Sequence, residues 1–425
     1  MSVTTEVRSL PAHPDSAAIA LVCRECAQRY PLTAAHVCEL CFGPLEVGYD
    51  DDRLARVTRE SIQAGPHSMW RYVGLLPAGH DEATRVSLGA GMTQLHKADR
   101  LAAELGMKTL WVKDDSGNPT HSFKDRVTSV ALSAARSFGY TTIGCASTGN
   151  LAQSVAAHAA SAGLRSVILI PHDLEDGKTV STAVYGGTLV AINGSYDDVN
   201  RLCSEIASDE PWGFVNVNLR PYYAEGSKTV GYEVAEQLGW RLPQQVVIPI
   251  ASGSLLTKVD KSWREFIKLN LVSPDSDSPY RVFGAQATGC SPVSKAFAEG
   301  WEVPQPVRPD TIAKSLAIGN PADGVYALDV VRRTNGAIGD VTDSEVVEGM
   351  RLLARTEGIF AETAGGVTVA TLVKLLKSGQ LDPEAETVIL NTGDGLKTLD
   401  PLIGSSGPTV HINPSLEDFR ASGIA

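Results

Sequence analysis

Short apolar segments alternate with helical segments from about residue 55 onward, and this alternation restricts the fold more than any other feature of the chain. The apolar segments are rich in β-branched residues and often lie close to Gly or Pro, as buried strands do. They cover residues 109–115, 141–147, 165–171, 188–193, 245–251, 281–287 and 387–393. Strands that alternate with helices over this length predict a mostly parallel, doubly wound α/β protein.

The length and charge of the chain narrow the class of protein. Its 425 residues are enough for two or three compact units, and 43 % hydrophobic and 20 % charged residues are typical of a globular protein. A formal net charge of −12 repels nucleic acid and anionic lipid. The chain lacks an apolar run of about 18 residues, and residues 1–20 lack the pattern of a secretion signal. We therefore expect a cytoplasmic protein that binds a small molecule, and neither nucleic acid nor a membrane.

Four of the seven cysteines form two CxxC pairs that are separated by eleven residues. Each pair predicts a tight turn, and two such turns can close on one tetrahedral ion. We expect a structural zinc site with four thiolate ligands, namely Cys23, Cys26, Cys38 and Cys41. The alternatives are two disulfides, which a reducing cytoplasm disfavours, or a knuckle that has lost its metal. The other three cysteines have apolar neighbours and are expected in the core.

Polar segments follow four of the predicted strands, at residues 118–126, 147–150, 251–258 and 391–398. In a parallel α/β sheet, ligands gather where strands end and helices begin. Each segment combines small residues, which let backbone N–H groups approach a ligand, with hydroxyl or amide side chains. Ordinary turns between a strand and a helix are often rich in the same residues, which is the simpler interpretation of any one segment. The four together favour a ligand site.

The first of these segments, NPTHSFKDR, places Lys124 at the start of a predicted helix. That end of a helix already carries partial positive charge, so an ammonium group there is electrostatically unfavourable. A lowered pKa, or conversion of the amine to an imine, would relieve the conflict. Because turns suited to phosphate lie nearby, the segment suggests a Schiff-base lysine that binds pyridoxal phosphate.

Taken together, the segments resemble the threonine synthases, which are pyridoxal-phosphate enzymes of fold type II in the tryptophan synthase β-like family. SFKDR resembles the cofactor-lysine motif of the family, STGN its ring-contacting segment, and NTGDGLK its TGxGLK turn. SLGAGMTQL, at residues 87–95, is similar to the SLGEGMTPL motif. The match spans nearly the whole chain after the cysteine knuckle.

The resemblance implies two doubly wound α/β domains of fold type II behind a zinc-ribbon-like knuckle. The expected units are a mobile arm at 1–19, the knuckle at 20–50, the large cofactor-binding domain at 51–130 and 221–405, a smaller α/β domain at 131–220, and a tail at 406–425. A homodimer is the default assembly for such an enzyme.

The resemblance also assigns roles to residues. Lys124 becomes the catalytic lysine that anchors the cofactor, Asn150 is expected to hold the 3-oxygen of the cofactor, and Thr392 is expected to face its pyridine nitrogen. The other expected cofactor contacts are Ser122, Phe123, Ser252, Gly253 and Ser254. The expected substrate contacts are Ser147, Thr148, Gly149, Lys258, Lys314 and Tyr223.

The implied reaction converts O-phospho-L-homoserine and water to L-threonine and phosphate by γ-elimination and β-addition of water. Two arginines of the family, whose side chains form a bidentate fork for phosphate, are replaced here by Tyr223 and Ala317. Lys258, Lys314 and Lys228 lie in the same segments and are expected to act as point charges in their place. His121 replaces a glycine of the family motif and is either a proton carrier or a packing residue.

Other functions remain open at this point. A threonine dehydratase usually has a phosphate loop of GGGG type, whereas this chain has ASGSL at 251–255. A cysteate-synthase-like enzyme, which would use phosphoserine and sulfite, is poorly separated by sequence alone. A zinc-ribbon binding module with a degenerate body would need a basic ribbon, but residues 21–52 contain two arginines and six carboxylates.

Overall fold

The computed structural model describes residues 9–10, 13–147, 149–172, 176–193, 196–273 and 280–424. Most of the predicted arm, residues 1–8 and 11–12, therefore lies outside the described residues. Within the described ranges, no helix has both the length and the apolar composition that crossing a bilayer requires.

The strands are short, and most of them alternate with helices along the chain. They are β1 (Ala18–Cys23), β2 (Arg29–Tyr30), β3 (Leu45–Tyr49), β4 (Gln94–Lys97), β5 (Leu110–Asp114), β6 (Thr142–Ala146), β7 (Arg165–Pro171), β8 (Thr188–Ile192), β9 (Gly213–Phe214), β10 (Gln245–Pro249), β11 (Arg281–Ala287), β12 (Ile338–Val341) and β13 (Thr387–Asn391).

The α-helices are α1 (Asp51–Leu54), α2 (Arg59–Gln63), α3 (Asp99–Leu105), α4 (Lys124–Ser137), α5 (Asn150–Ser161), α6 (Asp176–Ala183), α7 (Tyr196–Asp209), α8 (Arg220–Gly226), α9 (Lys228–Gln237), α10 (Ser254–Lys268), α11 (Pro292–Ala298), α12 (Gly324–Arg333), α13 (Asp343–Glu357), α14 (Thr363–Lys377) and α15 (Leu416–Ala421). Shorter 3-10 turns cover Met69–Leu75, Asp115–Gly117, Lys314–Leu316, Gly395–Lys397 and Asp400–Leu402.

A six-stranded sheet forms the larger α/β layer, in the order β12-β11-β10-β13-β5-β4. Its strands are parallel except β4, which pairs antiparallel with β5 at one edge. Every residue of the central strands β10 and β13 is buried, because helices cover both faces of the sheet. The expected mostly parallel α/β architecture is confirmed by this sheet and the next one.

A four-stranded parallel sheet, in the order β8-β7-β6-β9, forms the second layer. All of its strands lie between residues 142 and 214, so the chain leaves the first sheet after β5 and returns to it at β10. Helix α4 connects the two sheets and has eleven buried residues, from Asp125 to Ala135. The boundaries predicted for the two domains stay predictions.

The cysteine knuckle is a three-stranded antiparallel sheet in the order β2-β1-β3. Polar contacts attach it to the larger layer: Arg24 Nη1 lies 3.4 Å from Asp323 Oδ1, and Glu46 forms ion pairs with Lys258 and Lys261. Strand β1 begins at Ala18, two residues before the predicted start of the knuckle.

The strand order places three of the polar segments side by side. Strands β10, β13 and β5 are neighbours and parallel, so the loops that follow them leave the same edge of the sheet. These loops carry Ser252, Thr392 and Lys124 respectively. This edge is where ligands bind in open α/β sheets.

Candidate active site

Lys124 is the first residue of helix α4, as the sequence indicated, and no side chain caps that end of the helix. Its Nζ donates a hydrogen bond of 2.9 Å to the Tyr223 hydroxyl. The same nitrogen lies 4.6 Å from the centre of the Phe123 ring and 5.6 Å from that of Tyr223. In the part of the chain that the structure describes, no carboxylate forms an ion pair with it. The amine is thus held by an oxygen and two aromatic rings.

The residue after Lys124 fixes the loop that precedes the helix. The buried carboxylate of Asp125 accepts hydrogen bonds of 2.6 Å from both the backbone N–H and the hydroxyl of Thr120. It also accepts one of 2.7 Å from the Ser154 hydroxyl, on helix α5. Because these bonds join the lysine loop to the helix that begins at Asn150, they hold two of the predicted site segments in register.

Arg126, two residues after Lys124, lies in a fully buried ion network. Its guanidinium forms bidentate pairs with Asp115 and Glu233, at 2.5 to 2.8 Å. Glu233 also accepts a 2.7 Å bond from Lys113 Nζ. Arg126 and Lys113 hold the pKa of the Glu233 carboxyl down at about 2, despite burial. This network anchors the first turn of α4 to β5 and α9.

The loop after β13 pairs with the lysine loop. The Phe123 N–H donates to the Thr392 carbonyl at 3.0 Å, and the Asp394 N–H donates to the His121 carbonyl at 3.1 Å. Between these bonds, the fully buried Ser122 hydroxyl has no hydrogen-bond partner among the described residues. Ser122, Lys124 and Thr392, which the sequence assigned to one site, are therefore adjacent.

Asn150 reaches the same place through a residue that the sequence did not single out. Its Nδ2 donates to both oxygens of Glu362, at 3.1 and 2.9 Å, and Thr392 Oγ1 donates to Oε1 at 3.3 Å. Glu362 is only 2 % exposed, and burial raises the pKa of its carboxyl although Asn150, Lys397 and Lys124 favour the ionised form. A glutamate just before an apolar helix resembles an ordinary helix start, so the sequence offered no signal for it.

Lys397, in the turn that follows Thr392, adds a second amine to this region. Its Nζ donates a 2.6 Å hydrogen bond to the Thr120 carbonyl, in the lysine loop. Burial lowers the pKa of this amine, while the carboxylates of Glu362, Asp125 and Asp394 oppose the shift.

The loop after β10 has the shape of a phosphate site. Gly253 has φ +95°, and a Cβ there would lie 2.7 Å from the Asp323 carbonyl oxygen, so only glycine fits. The Asp323 N–H donates to the Ser252 carbonyl at 2.8 Å and fixes the loop. Helix α10 begins at Ser254 and runs for 15 residues, so its free N–H groups and dipole favour an anion at this end.

The residues predicted to contact the substrate have different surroundings in the structure. Ser147 and Gly149 lie at the start of α5, where the Ser147 hydroxyl accepts from the Gly149 N–H at 3.3 Å, and Thr148 lies outside the described residues. Lys314 is exposed and its Nζ has no partner among the described residues. Lys258 is 4 % exposed and pairs with Glu46 and Glu225 at 2.9 and 2.8 Å. Its charge is already neutralised, which argues against the role in phosphate binding predicted for it.

The four knuckle cysteines converge. The Sγ atoms of Cys23 and Cys41 are 3.4 Å apart, those of Cys26 and Cys38 3.6 Å, and those of Cys26 and Cys41 3.4 Å. All four sulfurs lie within 4.8 Å of one another. Tetrahedral zinc–thiolate bonds of about 2.3 Å place sulfurs at similar separations, so the four side chains fit such an ion.

The class of protein follows from comparison with known families. A model of the family described as "Pyridoxal-phosphate dependent enzyme" matches residues 86–393, and the chain belongs to this family. Among solved structures, maize serine racemase superposes with a TM-score of 0.62 at 21 % identity, over 76 % of this chain and 94 % of that one. Threonine deaminase isoform 2 from Solanum lycopersicum gives 0.62 at 19 % identity, over 84 % and 96 %. These structures share the fold, which is fold type II as predicted.

Within that family, the chain belongs with the threonine synthases. The threonine synthase of Methanocaldococcus jannaschii is 35 % identical over 92 % of this chain and 96 % of its own length. That of Methanosarcina acetivorans is 36 % identical over 94 % and 97 %. A third, from Halalkalibacterium halodurans, is 34 % identical over 82 % and 95 %. The family predicted from the sequence motifs is confirmed.

The residues present fit pyridoxal phosphate. The turn at Gly253, which only glycine fits, leads into the start of α10, whose N–H groups and dipole suit the phosphate group. The unpartnered Ser122 hydroxyl supplies a buried polar atom that needs a ligand. Lys124 supplies the amine for the aldehyde.

Proposed function

We propose that this chain is a threonine synthase that converts O-phospho-L-homoserine and water to L-threonine and phosphate. The observation that carries the proposal is the position of Lys124 at the strand-end edge of the sheet, in a chain that aligns with threonine synthases over more than nine-tenths of its length. Its amine contacts a hydroxyl and two rings, and no carboxylate of the described residues forms an ion pair with it.

Lys124 would perform most of the proton transfers. Bound pyridoxal phosphate supplies an electron-poor ring that accepts charge from the α-carbon of the substrate. The Lys124 amine would lie next to the α-carbon of the substrate, where it would act as the base that takes the α-proton and then a β-proton. The hydroxyl of Tyr223, 2.9 Å from Nζ, orients the amine for both transfers.

The substrate phosphate would bind without the two arginines that the family motifs carry. We assign Ser147 and Gly149 to this role, because hydroxyl and N–H groups at the start of the 12-residue helix α5 suit an anion, while Thr148 stays a substrate contact predicted from the sequence alone. Lys314 is retained as an exposed point charge. Lys258 is left out, since its ammonium is paired with two carboxylates.

A side-by-side assay of phosphate release tests the reaction. The protein is incubated with O-phospho-L-homoserine alone and with O-phospho-L-serine plus sulfite. We expect phosphate and threonine in equal amounts from the first substrate and no phosphate from the second. Sulfite-dependent release from phosphoserine would instead identify a β-replacement enzyme, and 2-oxobutanoate formed from threonine would identify a dehydratase.

Chemical reduction tests the cofactor role of Lys124 independently of the substrate. Borohydride fixes a lysine-bound pyridoxal group as a stable amine, and digestion then locates it. We expect the pyridoxyl mass on the peptide that contains Lys124. The proposal fails if that peptide is unmodified in protein that shows cofactor absorbance.

We also propose that the knuckle holds a structural zinc ion through its four cysteines, on the strength of the sulfur separations. Metal analysis of the purified protein should give one zinc per chain. Cys26→Ser should lower the zinc content, whereas Cys290→Ser, at a buried cysteine far from the knuckle in the sequence, should leave it unchanged. Equal zinc contents in the two variants would exclude this site.

A homodimer in the cytoplasm completes the proposal. None of the seven cysteines forms a disulfide in the structure, as suits a reducing compartment. Sedimentation velocity should give about twice the chain mass of 45.1 kDa.

A further inference from the structure

The side chain of Glu362 connects two loops that converge on the cofactor site. Glu362 stands at the N-terminal cap of helix α14, but its carboxylate makes no capping bond to that helix. It accepts hydrogen bonds from Asn150 Nδ2, after β6, and from Thr392 Oγ1, after β13. These are the two side chains expected to face the 3-oxygen and the pyridine nitrogen of the cofactor.

The backbone holds Glu362 firmly in this position. Its N–H donates to the Gly393 carbonyl at 3.0 Å, and a Cβ at Gly393 would lie 2.6 Å from Glu362 Oε1. The glycine that follows Thr392 is therefore needed for the carboxylate to approach the threonine hydroxyl. A larger residue at position 393 would displace the acid.

The hydroxyl of Thr392 has a single proton, which restricts the bonds it can make. If the Glu362 carboxylate is ionised, Thr392 donates that proton to it and offers the pyridine nitrogen only lone pairs. The nitrogen must then carry its own proton to form a hydrogen bond. If Glu362 is protonated, it donates to Thr392, and the threonine proton turns toward an unprotonated nitrogen.

We propose that Glu362 and the pyridine nitrogen share one proton, which Thr392 relays between them. The inference rests on the proposed function, since it requires bound pyridoxal phosphate. In the transfer the Thr392 proton moves to the nitrogen and the Glu362 proton moves to the Thr392 oxygen, so no proton is gained or lost. Glu362 acts through Thr392 and is a positioning residue.

The charges around Glu362 are consistent with this role. Lys124, from α4, and Lys397, from the turn after Thr392, face the carboxyl group and favour its ionised form. Asp125 and Asp394 face Lys397 in turn. Burial is the largest influence and raises the pKa of the Glu362 carboxyl, so the group retains a proton above its ordinary titration range.

The test measures directly whether the pyridine nitrogen is protonated. Holoenzyme is reconstituted with cofactor labelled with ¹⁵N in the ring, and the nitrogen chemical shift is measured across the pH range. We expect the wild-type signal to report a partly protonated nitrogen. Glu362→Gln keeps one acceptor oxygen for Asn150 and Thr392 but has no carboxyl proton to release, so its signal should stay at the unprotonated position throughout. The two positions are far enough apart in shift to be distinguished.

A second variant and a matched control complete the design. Thr392→Val removes the relay and should give the same unprotonated signal as Glu362→Gln, with no further change in the double variant. Glu357→Gln alters another nearly buried glutamate, which binds His96 and the Leu101 N–H outside the site, and should behave as wild type. The same nitrogen signal in wild type and both site variants would overturn the relay.

The outcomes separate this inference from the proposed function. A wild-type protein that binds no cofactor contradicts the function itself. A holoenzyme with Lys124 labelled, but with a nitrogen signal indifferent to Glu362, contradicts only the relay.

Discussion

Two cations in the first turn of helix α4 have contrasting surroundings. Arg126 is completely buried and forms two bidentate ion pairs with carboxylates. Lys124, two residues earlier, contacts the Tyr223 hydroxyl and two aromatic rings. The positive end of the helix dipole disfavours a cation at both positions.

The contrast separates a structural cation from a reactive one. Two carboxylates raise the pKa of the Arg126 guanidinium, so its charge is permanent and serves to hold α4 against the sheet. Among the described residues no carboxylate forms an ion pair with Lys124, so no ion pair has to be broken before its amine reacts. The same turn thus combines an anchor with a nucleophile, and substitutions at the two positions should have opposite consequences.

The largest effect is expected at the reactive cation. Lys124→Ala should lower the rate of threonine formation by roughly 10³-fold or more, because both the cofactor anchor and the base are lost. Its free energy of unfolding without cofactor should stay within about 0.5 kcal/mol of wild type. Activity assays and urea denaturation measure the two quantities. A strongly destabilised variant would show that Lys124 is structural after all.

Disrupting the ion pairs of Arg126, the structural cation, should instead have a large effect on stability. Glu233→Gln leaves Arg126 and Lys113 buried and incompletely paired, and should lower the free energy of unfolding by about 3–5 kcal/mol. Glu205→Gln, which removes the same charge from an exposed pair with Arg201, should cost less than about 1 kcal/mol. Urea denaturation of both variants tests the difference. Similar losses would mean that the buried network does not anchor the helix.

The buried network also predicts a dependence of stability on pH. The pKa of Glu233 falls from 4.5 to about 2 on folding, so its contribution is fully present above about pH 4.5 and is lost as the pH falls toward 2. The loss should be on the order of 3 kcal/mol. Glu233→Gln should flatten this part of the stability curve. Parallel curves for the two proteins would assign acid unfolding to other carboxyl groups.

The smallest effect concerns the partner of the reactive amine. Tyr223→Phe removes the hydroxyl that orients Lys124 and should lower kcat about 10-fold, with little change in stability. Tyr222→Phe is the matched control, since its hydroxyl donates to the Thr33 carbonyl at 2.8 Å. That variant should lose about 1 kcal/mol of stability and keep its kcat. Equal kcat values for both variants would remove Tyr223 from the mechanism.

Most strands of the two α/β sheets could be predicted from the sequence, and the strands of these two sheets that were missed have a common cause. The predicted segments correspond to β5, β6, β7, β8, β10, β11 and β13. Strands buried on both faces are continuous apolar runs, which are visible in one dimension. The strands β4, β9 and β12 lie at sheet edges and have two to four residues, too few for a recognisable pattern.

The sequence could predict those site residues that lie in short polar segments with a recognisable composition. The segments around Lys124, Asn150 and Thr392 cluster small and polar residues at strand ends, and the structure brings them together. Glu362 lies 30 residues before Thr392, and only folding makes them neighbours. For Lys258 the sequence predicted a role in the site that its surroundings argue against. The carboxylates that pair with its ammonium are 212 and 33 residues away in sequence, so the sequence could not reveal them.

The backbone conformation of His121 is strained, and nothing in the packing of the fold explains why a histidine stands there. Its backbone is in the left-handed region, at φ +61°, where glycine is free of strain and any other residue pays about 1 kcal/mol. Its ring is exposed, so packing returns little of that cost. An imidazole ring thus stands three residues from the reactive amine, in a conformation that a smaller residue would adopt more readily. The loop that carries the catalytic lysine therefore presents a ring to solvent at a position where the fold itself requires no side chain.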